Sequence, residues 1–249
     1  MINLEDAMKD RIVNWIREYF AAQGNPPAVV GISGGTDSSV TAALLCEALG
    51  PDRVYGVLMP CGEQHDIDVS LALVKHLQMP YRVVNIAEPV KALAGLVGAA
   101  MDCDPNETDA YKTNTPARVR MTVLYGICAL LGGRVANTCN LSEDYVGYST
   151  KFGDAAGDFA VLSAFTKPEA REIGRELGLP ALFVEKVPED GMSGRSDEEK
   201  LGFTYEVLDR YIRTGEIEDE AIKAKIDRMH RNNLHKLLPM PGFGKEETK

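Results

Sequence analysis

The sequence predicts an α/β fold, an open doubly wound parallel sheet flanked by helices. Three observations carry that expectation. Short apolar runs alternate with helical spacing over residues 28–86, as strand–helix–strand units do. A glycine- and serine-rich loop joins the first run to the helix after it, where such sheets bind ligands. The chain has 249 residues, 45% of them hydrophobic, which is enough for one sizeable core, so residues 1–249 are expected to form a single domain.

The elements follow in order. Met8, Ile12, Trp15, Ile16, Tyr19 and Phe20 recur at helical spacing, and Gly24, Asn25 and Pro26 end that helix. Strands are expected at 28–32, 54–59, 81–86 and 134–137. Helices are expected at 40–49, 66–77, 87–101 and 116–131. Residues 102–113 read as a polar loop, with Pro116 at the start of the helix that follows. Beyond residue 140, short helices are expected to begin near Thr166, Ser196 and Glu218, separated by turns at Gly153, Gly157 and 191–194.

Charge and composition exclude several classes. A net charge of -10 at pH 7 argues against nucleic acid or an anionic membrane as partner, since either needs a basic face. No apolar stretch is long enough to span a bilayer, and residues 5–10 do not resemble a secretion signal, so a soluble cytoplasmic protein is expected. Five scattered cysteines with no C-x-x-C pair point to neither a disulfide framework nor a zinc site.

The chemistry concentrates in Gly31-Ile32-Ser33-Gly34-Gly35-Thr36-Asp37-Ser38-Ser39. A helix N-terminus beyond a strand end offers backbone N–H groups to an anion. Gly34 and Gly35 let the backbone approach phosphate oxygens, and Ser33, Ser38 and Ser39 can add hydroxyl donors. Asp37 is a candidate magnesium ligand, because that ion takes oxygen donors. No lysine follows the glycines, so this is not a Walker A loop. An ordinary turn capped by Asp37 would account for the same residues, and that reading stays open on the loop alone.

The S-G-G-x-D-S run resembles the loop of the ATP pyrophosphatases, which cleave ATP between its α and β phosphates. Asn114-Thr115-Pro116-Ala117-Arg118-Val119-Arg120-Met121 is similar to the N-x-x-A-R-x-R-M signature of NAD synthetases. Thr138-Cys139-Asn140-Leu141-Ser142-Glu143 resembles the family's T-x-N-x-x-E, and Thr150-Lys151-Phe152-Gly153-Asp154 its T-K-x-G-D. Lys167, Ser196–Gly202, Tyr205 and the pair His235-Lys236 match further segments in family order. The resemblance is to the ammonia-dependent NAD synthetases.

That resemblance implies a Rossmann-like sheet of the adenine nucleotide α-hydrolase type. It also implies amidation of deamido-NAD to NAD through an adenylated carboxylate, with release of AMP and pyrophosphate. ATP would contact residues 31–38, Thr138 and Lys167, and magnesium would be held by Asp37 and Glu143. Arg118, Lys151, Asp158, His235 and Lys236 would contact deamido-NAD. Asp37, Glu143 and Lys167 would serve catalysis. Free ammonia, or a separate glutaminase chain, would supply the nitrogen, since 249 residues leave no room for an amidase domain, and a homodimer would be the assembly. The same motifs also suit another ATP pyrophosphatase, whether amide ligase or tRNA-modifying enzyme, or a non-catalytic adenine-nucleotide sensor.

Two departures stand out. Where many family members read P-T-A-D-L, this chain has Pro188-Glu189-Asp190-Gly191-Met192, which lacks the threonine that contacts ATP and leaves Ser193 as the candidate replacement. Leu58 stands where some members carry an arginine.

Overall fold

The computed structural model describes residues 7–64, 67–185 and 197–243. Five parallel strands lie in the order β3-β2-β1-β4-β5: β1 (Ala28–Gly31), β2 (Val54–Leu58), β3 (Tyr81–Val83), β4 (Arg134–Asn137) and β5 (Phe159–Ala160). β1 is central. The chain moves outward from it through β2 and β3, then crosses back to build β4 on its other side. That reversal opens a crevice between the carboxyl ends of β1 and β4, the place where open α/β sheets hold ligands.

Helices cover both faces. On one face α1 (Met8–Ala22), α2 (Thr36–Leu49), α3 (Ile67–His76), α7 (Lys167–Glu176) and α8 (Ala181–Val184) share a core with one side of the sheet. α2 is buried on nearly every side, because α1, α7 and α8 enclose it. On the other face α5 (Asp109–Leu131) packs Val119, Met121, Leu124 and Cys128 against Val29, Val57 and Val135. α4 (Ala87–Met101) lies beside α5 and contributes no buried residue of its own. A third cluster joins α6 (Leu141–Val146), α9 (Asp197–Leu201), α10 (Tyr205–Thr214) and α11 (Glu220–Leu237), with Leu208 and Ile226 at its centre.

Two boundaries differ from expectation for physical reasons. α2 begins at Thr36, not at residue 40, so Asp37, Ser38 and Ser39 occupy a helical first turn and not an open loop. α5 begins at Asp109 and carries Pro116 in its interior, so the last part of the expected polar loop, residues 109–113, is helix. Pro116 is buried, and the packing of this face offsets the lost backbone hydrogen bond and the steric cost of an interior proline. Arg118 and Arg120 consequently sit in the middle of a helix, not at its start. The Pro188–Gly194 departure, Ser193 and the expected helix start at Ser196 lie outside the described residues.

Candidate active site

The phosphate-loop candidate turns at Gly34, whose φ of +79° favours glycine. A Cβ at this position would also stand 2.8 Å from Ser70 Oγ and 3.3 Å from Ser70 N on α3, so the loop rests directly on that helix. Gly34→Ala combines left-handed strain of about 1–2 kcal/mol with that close contact. It is expected to lower Tm by a few degrees and to weaken ATP binding tenfold or more, readable by calorimetric titration of folded protein.

The loop's side chains are largely committed to one another. Ser38 Oγ and Ser39 Oγ both donate to Gly35 O, at 3.1 and 2.8 Å, and Ser33 Oγ lies 3.0 Å from Ser38 Oγ. Ser39 is fully buried, so its hydroxyl is not a phosphate donor. Thr36 Oγ1 donates to Val184 O and fastens α8. The Ile32 N–H donates to Val57 O within the sheet, and Gly31 is paired there opposite Val57. What remains for an anion is the first turn of α2, where the leading N–H groups have no intrahelical acceptor.

β4 delivers the second half of the crevice. Asn137 ends the strand, half-buried Thr138 follows, and Asn140 caps α6 by accepting the Glu143 N–H at 3.0 Å. Leu141 N–H donates to Phe165 O at 2.8 Å, which ties this turn to the segment entering α7. The Thr166 N–H donates to Glu169 Oε2 at 2.7 Å and sets the helix start where Lys167 stands.

Lys167 is the centre of the cluster. Its ammonium donates to Glu143 Oε1 at 2.9 Å and lies 3.8 Å from both Asp37 Oδ2 and Asp197 Oδ2, with its side chain only 6% exposed. The ring of Tyr205 lies beneath it, 4.6 Å from the nitrogen to the centroid. Behind it, Lys167 N–H donates to Ser142 Oγ, which in turn donates to Asp209 Oδ1 at 2.5 Å. Burial pushes both Asp37 and Glu143 above the usual carboxylate range, with Lys167 opposing the rise in each. Burial also works against the lysine's charge, but Glu143 and Asp37 outweigh it and hold the ammonium protonated.

Asp37 Oδ1 and Asn140 Nδ2 are shielded from solvent and make no other close hydrogen bond, and the Asn140 amide lies beside the Asp37 carboxylate and lowers its pKa against the rise from burial. Two carboxylates that share one ammonium, Asp37 and Glu143, are a donor set that fits a magnesium ion, which binds proteins through one or two carboxylates and completes its shell with phosphate oxygens and water. Among the described residues, no group of three His, Cys, Asp or Glu side chains could enclose an ion by itself.

A second polar group gathers four of the expected dinucleotide contacts. Arg118 Nε donates to Lys151 O at 3.2 Å, Lys151 Nζ to His235 O at 2.6 Å, and Lys236 Nζ to Gly147 O and Ser149 O at 2.6 and 2.8 Å. Thr150, next to Lys151, is held by Asn114 and Asp154. Asp158 is not part of this group. Its carboxylate accepts from Val135 N–H and Tyr125 OH at the start of β4, beside the outer face of α5.

With that geometry in view, the comparisons with known proteins decide the lineage. The family model described as NAD synthase matches residues 8–247. This chain belongs to the NAD synthase family. Among relatives, the NH(3)-dependent NAD(+) synthetase of Carboxydothermus hydrogenoformans is 37% identical, over 91% of this chain and 93% of that one. That of Pyrococcus furiosus is 35% identical, over 82% and 77%. An NMN synthetase from Francisella tularensis superposes with a TM-score of 0.85 at 27% identity, covering 95% of this chain and 97% of the other. An NH3-dependent NAD synthetase from Campylobacter jejuni gives 0.75 at 26%, with the same coverage.

The NAD synthase fold brings Asp37, Glu143 and Lys167 together as the motifs anticipate. Asp197, Tyr148, Asn140, Ser142 and Asp209 join them without having been assigned a role from sequence. For Asp197 the only signal was its place in the Ser196–Gly202 segment, and for Asn140 and Ser142 their places within T-x-N-x-x-E.

Proposed function

We propose that this NAD synthase family member catalyses ATP-dependent amidation of deamido-NAD to NAD, with ammonia as nitrogen donor and AMP and pyrophosphate as products. The observation that carries this reading is the meeting of Asp37, Glu143 and Lys167 at the β1–β4 crevice, beside the first turn of α2.

A carboxylate oxygen is a poor leaving group. Transfer of AMP from ATP to the nicotinate carboxylate forms an acyl-adenylate, which ammonia attacks to give the amide and expel AMP. In this reading the N–H groups of the α2 first turn and the ammonium of Lys167 bind the pyrophosphate oxygens as the Pα–O bond breaks, offering preorganised positive charge where negative charge develops. Magnesium, when bound by Asp37 and Glu143, supplies further charge neutralisation there. Arg118, Lys151, His235 and Lys236 form the polar group that orients the dinucleotide, and Asp158 serves it from a different part of the surface.

The separation of Asp158 makes sense in a homodimer whose dinucleotide reaches across two subunits. α4 and α5 support such an assembly. They expose Leu93, Leu96, Val97, Met101, Leu130 and Leu131, with Leu96 at 70% and Leu130 at 88%, an apolar surface of the kind that pairs two copies. Leu96→Glu with Leu130→Glu is expected to yield a folded monomer with little activity. Sedimentation velocity checks the mass and an NAD assay the loss. An active monomer would remove the dimer from this reading.

No helix among the described residues is long and apolar enough to cross a membrane. The acidic balance favours small nucleotides held locally over nucleic acid, and we take the protein to act in the cytoplasm.

The deciding experiment incubates pure protein with ATP, magnesium, ammonium and deamido-NAD, and follows NAD, AMP and pyrophosphate, with glutamine as a parallel nitrogen source. Equal amounts of the three products with ammonium support the reading. The likeness to an NMN synthetase adds one arm, nicotinate mononucleotide in place of deamido-NAD. Turnover of the mononucleotide alone would move the substrate to that smaller carboxylate.

A further inference from the structure

Asp197 belongs to none of the assigned contacts, yet it is only 8% exposed and meets the catalytic cluster directly. Two hydroxyls hold it. Tyr148 OH donates to Oδ1 at 3.0 Å and Tyr205 OH lies 3.4 Å from Oδ2. The same Oδ2 stands 3.8 Å from the Lys167 ammonium, and Tyr205 places its ring under that ammonium. Asp197 is therefore a fixed acceptor, built from the start of α9, the end of the α6 turn and the start of α10, on one side of Lys167. Glu143 and Asp37 lie within the same reach.

This arrangement has a tension at its centre. Lys167 is bonded to Glu143 Oε1, one of the two carboxylates that the proposed function gives to magnesium. A divalent cation on Glu143 would share that carboxylate with an ammonium, and like charges brought close in a buried site repel strongly. Lys167 must loosen its hold on Glu143 for the ion to be held well, and it needs a counter-charge when it does.

We propose that Asp197 is a positioning residue that supplies this second seat: it draws the Lys167 ammonium off Glu143 and Asp37 and holds it over the Tyr205 ring, leaving both carboxylates to the ion and the ammonium to the phosphates. The inference rests on the magnesium assignment above, and its test does not require turnover. Asp197→Asn keeps the size of the side chain and an acceptor for the tyrosine hydroxyls, but removes the charge that attracts Lys167.

The test is a Mn2+ titration followed by electron paramagnetic resonance, in the presence of the α,β-methylene analogue of ATP, which is not cleaved. Asp197→Asn is expected to weaken Mn2+ binding about tenfold, a loss of about 1.4 kcal/mol, with Tm nearly unchanged. In a Lys167→Met background the same substitution is expected to change Mn2+ affinity little, because the group it acts through is gone. An equal loss in both backgrounds would show that Asp197 acts on the ion itself, and no loss in either would show that it does not act on the site; each overturns the proposal. A parent protein with no Mn2+ site overturns it together with the metal assignment, whereas tight parent binding without NAD formation would count only against the reaction.

Discussion

Lys167→Met is expected to cost a hundred- to a thousand-fold in kcat, the range for removing one preorganised donor from a developing anion. Its effect on stability should be as informative. Among the described residues the Lys167 ammonium is the group that ion-pairs with Glu143, Asp37 and Asp197, at 2.9, 3.8 and 3.8 Å, while Arg171 acts on Asp37 from further off. Removing it leaves the carboxylates poorly compensated, a change worth about 3 kcal/mol against folding at neutral pH. The sign with pH follows from the groups left behind. Burial already raises Asp37 and Glu143 in the folded protein, and without Lys167 they rise further. The folded variant then binds more protons than the unfolded chain as pH falls into that raised range, so its deficit should shrink on acidification. Denaturant melts of parent and variant at pH 8 and pH 6 measure this. A deficit equal at both values would mean that the three carboxylates are not coupled through the lysine.

Asp37→Ala is expected to lose activity to the same degree, yet with stability held or slightly raised. Asp37 is largely shielded from water, which pushes its carboxyl above the usual range, and its charge stands against that of Glu143. Its removal relieves a repulsion and leaves Lys167 with Glu143 and Asp197. Against that gain stands the loss of one acid from the first turn of α2, worth about 0.3–1 kcal/mol. Paired kinetics and thermal melts distinguish the two variants: both inactive, one destabilised and one not. An unfolded Asp37→Ala protein would place this residue in the scaffold, and a fully active one would remove it from the metal pair.

Much of this could be read before any coordinates. The strand at 134–137 and the helix at 87–101 lie where periodicity puts them, and the alternation of residues 28–86 is what a parallel sheet requires. Boundaries failed where local rules met tertiary ones. Pro116 is a good helix opener by local chemistry, but packing against the sheet carries α5 through it. Ser39 reads as a free hydroxyl in a Gly/Ser loop, whereas in the fold it is fully buried against Gly35 O. Asp37, Glu143 and Lys167 were legible because motifs mark each of them. The way Lys167 is held was not, since the segments that carry Asp197 and Tyr205 match the family without indicating that they meet the lysine, and Asp209 acts behind it through Ser142 with no local pattern at all.

α4 has a consequence of a different kind. A helix of fifteen residues that fully buries none of them, and meets the core chiefly through half-buried Val90, is weakly held within its own chain, and isolated helices of that length are marginal in water. Its backbone amides should therefore exchange with deuterium faster in dilute solution than in concentrated solution, while those of the enclosed α2 keep one rate throughout. In the homodimer proposed above, α4 would act as a gauge of concentration, reporting through its own order how much of the population has found a second copy.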